Sequence, residues 1–106
     1  MNDEAEHVLD WLQGWYLSHC DGRWEHERGV QIDTLDNPGW TVSVDLRGTP
    51  LEGRAYPRRE IDRSDDDWVE AWSARGAFHA ACGPRNLTEA LMLFRTWAEE
   101  CASGTA

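Results

Sequence analysis

The first stretch of the chain alternates apolar and polar residues at helical spacing. Val8, Leu9, Trp11, Leu12, Trp15, Tyr16 and His19 fall on one broad face. Asp3 stands where an N-cap belongs, and Glu6, three residues on, completes a capping box. Gly14 costs about 1 kcal/mol relative to alanine inside a helix, so this helix depends on burying its aromatic face. Asp21-Gly22 predicts an end near His19 or Cys20.

The period then changes to two. Val30, Ile32 and Thr34 alternate with Gln31, Asp33 and Leu35. After Asp36-Asn37-Pro38-Gly39, the residues Trp40, Val42, Val44 and Leu46 alternate with Thr41, Ser43, Asp45 and Arg47. This is a hairpin with one dry and one wet face. Pro38-Gly39 suits the central pair of a type II turn. Arg47 to Pro50 reads as a second turn, Leu51 to Tyr56 as a third, weaker strand, and Pro57 to Asp67 as a polar surface loop. Trp68 to Ala74 and Ala77 to Cys82 read as the fourth and fifth strands, joined by Arg75-Gly76, with Phe78, Ala80 and Cys82 on one face.

The last element is a helix. Pro84 precedes it, Asn86 caps it and Glu89 takes the capping-box position. Leu87, Ala90, Leu91, Phe94, Trp97, Ala98 and Cys101 form its dry stripe, which frays near Ser103-Gly104.

The order predicts one α+β domain over residues 1–106: an antiparallel sheet of about five strands flanked by an N-terminal and a C-terminal helix packed on one face. The other face, carrying Gln31, Asp33, Thr41, Ser43, Asp45 and Arg47, is left to solvent or to a partner.

Charge narrows the possible partners. Twenty acidic residues oppose ten basic ones, all arginine, for a formal net charge of −10. Such a field repels nucleic acid and anionic membrane and attracts a basic partner. Some of the seven tryptophans must build the core, but tryptophan is also the residue with which proteins grip one another. Cys20, Cys82 and Cys101 are odd in number and irregular in spacing, which points to reduced thiols. The N-terminus lacks the basic and apolar runs of a signal peptide, and no stretch is long enough to span a bilayer, so a cytoplasmic protein is expected.

The chemistry concentrates in Cys20 to Gly29, "CDGRWEHERG". His19, Cys20, Asp21, Glu25 and His26 are all possible metal ligands, but their spacing follows no established metal motif. Asp21, Glu25 and His26 could supply an acid and a base, and Cys20 with a histidine a nucleophile. No oxyanion loop, nucleophile elbow or phosphate-cradling glycine run accompanies them. No cofactor is implied. Trp24 either tucks back against the sheet edge, braced by Glu25 and His26, or stands exposed as an aromatic anchor ringed by carboxylates. On the second reading Asp21, Trp24, Glu25 and His26 form a partner surface, which Asp65 and Asp66 extend.

Trp11-Leu12 with Trp15-Tyr16, Cys20-Asp21-Gly22, Trp24-Glu25-His26 and Thr34 to Trp40, "TLDNPGW", together resemble the immunity protein 53 family of bacterial polymorphic-toxin systems. Gly83-Pro84, Asn86-Leu87, Phe94 and Trp97 are similar to the family's closing helix, whereas Arg47 to Asp67 matches little and His79 to Cys82 carries alanine where glycine is expected. The resemblance implies a small cytosolic protein that binds and neutralises a cognate toxin domain, without catalysis or cofactor. The charge adds that the toxin is basic, as many nucleases are. Two other readings stay open: a small metal-dependent hydrolase using His19, Asp21, Glu25 and His26, and an acidic adaptor module.

Overall fold

The computed structural model describes residues 7–102. The capping box of Asp3 and Glu6 and the fraying at Ser103-Gly104 lie outside them. Helix α1 spans Val8–His19, and a single short turn, α2, spans Trp24–Glu27. Five strands follow: β1 (Val30–Leu35), β2 (Gly39–Asp45), β3 (Arg59–Ser64), β4 (Asp67–Ala74) and β5 (Ala77–Cys82). Helix α3 closes the fold over Leu87–Ala102. The strands form one antiparallel sheet in the order β1-β2-β5-β4-β3.

Strand alternation sorts the side chains. Val42, Val44, Val69, Ala71, Phe78, Ala80 and Cys82 all point to one face, and all are buried. Helix α3 lies on that face and supplies Ala90, Leu91, Phe94, Trp97 and Ala98. Helix α1 runs beside α3 and adds Val8 and Leu12 to the same core. Aromatic edges join the layers: Phe94 meets Trp15 at 5.1 Å, Trp11 at 5.8 Å and Phe78 at 5.0 Å between ring centroids. These offsets suit the ring quadrupoles. Both helices thus cover one side of the sheet, as the amphipathic pattern predicts.

The third strand lies elsewhere than the sequence pattern suggests. Leu51 to Tyr56 forms no strand. Thr49 accepts from the Leu51 N–H and donates its hydroxyl to the Leu46 carbonyl, winding the chain into successive turns. Leu51 plugs into the core, and Tyr56 packs edge-on against Phe78 and Trp97. The polar segment expected as a loop contains β3 instead, paired to β4 from Arg59↔Ala71 to Ser64↔Asp67. An edge strand so exposed needs no apolar alternation, because backbone bonds and charged side chains hold it.

Two turns also differ in detail. Gly39 lacks a positive φ and begins β2, so Asp36-Asn37-Pro38 makes the turn; a Cβ on Gly39 would sit 2.2 Å from the Cys82 carbonyl oxygen. Arg75 (φ 55°) and Gly76 (φ 78°) are both left-handed, as a two-residue hairpin turn demands. Asn86 does precede α3, but its side chain ties the helix to the sheet rather than closing a capping box. Its oxygen accepts from Trp68 N–H, and its amide donates to Asp67 and Glu89.

Candidate functional site

The uncovered sheet face is built in rows across the strands. One row reads Gln31, Ser43, His79 and Trp72, and the next Asp33, Thr41, Ala81, Glu70 and Glu60. Trp72 stacks on His79 with centroids 5.6 Å apart and planes 24° from parallel. The Arg58 guanidinium lies 4.7 Å from the centre of the Trp72 ring and is hydrogen-bonded to Glu60 (2.9 Å) and Glu70 (3.0 Å).

At the end of the sheet where β2 finishes, this face deepens into an open groove of about 960 Å³. Gln31, Ser43, Asp45 and His79 make its floor, with Glu25 to Gly29 on one side and Trp72 and Arg75 on the other. Asp45 is half-buried in it. Burial alone would raise its pKa, but Arg47 and then Arg28 outweigh that and hold the carboxyl below its ordinary range.

The wall from Cys20 to Gly29 braces itself. One oxygen of Asp21 accepts from the N–H groups of Arg23 (3.0 Å) and Trp24 (2.9 Å), capping α2. The Glu25 carboxylate reaches back to the N–H groups of Asp21 (2.9 Å) and Gly22 (2.8 Å). These donors favour the ionised forms. Asp21 is held low chiefly by the Trp24 N–H, and Glu25 by its own N–H and those of Asp21 and Gly22.

Trp24 is not an exposed anchor. It is 6% exposed, its indole N–H donates to the Arg47 carbonyl at 2.8 Å, and its ring packs on Trp15, Tyr16 and His19. Gly48 (φ 81°) makes room: a Cβ there would come within 3.1 Å of the indole. An indole closing a one-turn helix gains more by covering the end of α1 than by facing water.

The expected site residues therefore separate. Glu25 and His26 border the groove. Asp21 and His19 face another hollow behind the wall, where burial depresses the His19 pKa. The hydrolase quartet of His19, Asp21, Glu25 and His26 is thus not gathered round one cavity, and two of its carboxylates already cap backbone N–H groups. Among the described residues no three His, Cys, Asp or Glu side chains converge as a metal-binding group. Asp65 and Asp66 form the β3–β4 turn, at the far end of the eight-residue β4 and roughly 20 Å from Trp72 in the groove wall at ordinary strand rise. Asp65 borders a second hollow on the open face, and Asp66 accepts from the Ser64 hydroxyl.

The candidate site is thus an open, polar sheet face beside a self-braced loop. The family model described as immunity protein 53 matches residues 9–99. The chain belongs to the immunity protein 53 family. No curated protein and no solved structure matches it. As an immunity protein it has a cognate toxin for a partner. Among its described residues no helix is long and apolar enough to cross a membrane.

Sequence reasoning missed the two tryptophans on the open face of this immunity protein. Trp68 and Trp72 share parity with Glu70, whereas Val69 and Ala71 face the core. The alternation within β4 carries that signal: the charged residue between the two indoles marks their side as the wet one.

Proposed function

We propose that this immunity protein neutralises its toxin by direct, stoichiometric association in the cytoplasm of the producing cell, and that the toxin is a basic domain of the nuclease class. The match to the immunity family over nearly the whole chain carries the reading. The net charge of −10 supports the basic partner, because it speeds encounter with a cation-rich surface. Glu25, His26 and Asp65 border the open face and meet the partner. Asp66 adds to the field from the same turn as Asp65, while Asp21 and Trp24 hold the loop in place. Inhibition needs no covalent step; occupying the toxin's substrate groove, or placing carboxylates where phosphates must pass, is enough.

Co-expression tests this. The toxin domain encoded beside the gene is produced in a bacterial host with and without the immunity protein. The expected result is growth arrest and nucleic acid breakdown without it, and growth with it. Continued arrest at high levels of soluble, folded immunity protein would contradict the reading.

A further inference from the structure

The open face differs along its length. At the groove end, Glu25, Glu27 and Asp45 are matched by Arg28, Arg47 and Arg75, so local charge nearly cancels. At the other end, Trp68 lines a hollow of about 330 Å³ with Glu60, Asp62, Asp65 and Glu70. Arg58 pairs with Glu60 and Glu70 from beside it, so four carboxylates face one guanidinium and the charge stays negative.

The tryptophans fall the same way. Trp11, Trp15, Trp24, Trp40 and Trp97 are buried or packed against the core. Trp68 and Trp72 are only partly covered and lie four residues apart on the solvent side of β4, roughly 13 Å at ordinary strand rise. Between them and β1, Ala81 and Thr41 are short and leave the face open. Trp72 already stacks on His79 and carries Arg58 over its ring, so Trp68 is the indole set among carboxylates and suited to gripping a cation. The ring face attracts a guanidinium or ammonium, and the acids complete the charge.

We propose that the toxin docks across this face with Trp68 as its anchor, and that it presents arginine or lysine side chains to the Trp68 hollow. The proposal rests on the reading of the protein as a direct toxin binder and adds where and through what chemistry the binding occurs. The outer face of α1, with Leu9, Tyr16 and Leu17 exposed, is mainly apolar and carries one carboxylate, Asp10, against the four around Trp68, so it serves as the control surface.

The test is the affinity of a catalytically inactivated toxin domain, the one encoded beside the gene, for wild type and variants by calorimetric titration. Ala81→Arg puts a long cation beside Glu70 at the centre of the face without touching the core, and should weaken binding about 100-fold or more. Trp68→Ala should weaken it by about 10-fold or more. Leu17→Arg should change it less than about two-fold. Circular dichroism shows which variants are folded, and Ala81→Arg carries the test if Trp68→Ala is not. Binding within two-fold of wild type by folded Ala81→Arg overturns the docking face alone. A wild-type protein that does not bind overturns the direct-binding reading and this inference together.

Discussion

The indole N–H of Trp24 reaches the carbonyl oxygen of Arg47 across 23 residues of chain, at 2.8 Å. That bond pins the loop after α1 to the turn after β2. It explains how Glu25 and His26 come to stand beside a sheet to which their own segment contributes no strand.

Trp24→Ala should therefore destabilise the protein by about 3–5 kcal/mol, as other large buried aromatic deletions do. Trp24→Phe keeps a ring but leaves the Arg47 carbonyl without its donor, and should cost about 1–3 kcal/mol. Denaturant unfolding measures both. A loss below about 1 kcal/mol for the alanine variant would mean that the loop is held by Asp21 and Glu25 alone.

Two glycines should respond in opposite directions. Gly14 lies in α1, and a Cβ added there would meet nothing within 4 Å, so Gly14→Ala should stabilise by about 0.5–1 kcal/mol. Gly39→Ala must push its Cβ away from the Cys82 carbonyl oxygen and should destabilise by about 1–3 kcal/mol or more. Thermal melts of the two variants, shifted up and down respectively, check the pair.

The thiols should divide by burial. Cys82 is fully buried, and burial pushes its pKa up to about 11, so in the native protein it should resist thiol reagents. Cys20 and Cys101 are partly exposed and should react first. The raised folded pKa stabilises the fold fully below the unfolded thiol's value near 9, and that contribution is lost as pH rises through about 11. Rapid labelling of three thiols at neutral pH without denaturant would contradict this packing.

Acid should loosen the fold through a defined set of groups. Asp21, Glu25, Asp45 and Asp67 all have folded pKa values below their ordinary ones. Asp67 is held low chiefly by Asn86 and then by Arg63. Each contributes stability that is complete above its unfolded value, near 4, and is lost as pH falls through the lower folded value. Unfolding free energy should be flat from neutral pH to about 5 and fall below about 4. Asp45→Asn should flatten part of that fall. An unchanged acid limb in that variant would remove Asp45 from the set.

Most of the architecture was legible in the sequence, because a half-buried strand or helix writes its burial into its period. Trp40 to Leu46 and Leu87 to Cys101 are clear examples. β3 left no such record: Ile61 is its one apolar residue, and an edge strand wet on both faces looks like a loop. Leu51 to Tyr56 misled in the other direction, since one buried leucine among turns resembles a short strand. At the candidate site, the sequence offers Trp24 as an aromatic ringed by carboxylates, whereas the structure buries that indole and sets Trp68 among acids. Trp24 answers to local capping by Asp21 and to the distant Arg47 carbonyl, and only the second of these is invisible in its neighbours. Trp68, set among Glu60, Asp62, Asp65 and Glu70, has that arrangement only once β3 is paired beside β4.

The most direct test of toxin capture by this protein is a calorimetric titration of the adjacent-encoded toxin domain, catalytically inactivated, with the wild-type immunity protein at low and at high salt. The expected result is a one-to-one complex whose affinity falls as salt rises, as it must when a protein of net charge −10 meets a basic surface. A toxin domain that is folded yet forms no complex, or a complex indifferent to salt, would contradict it.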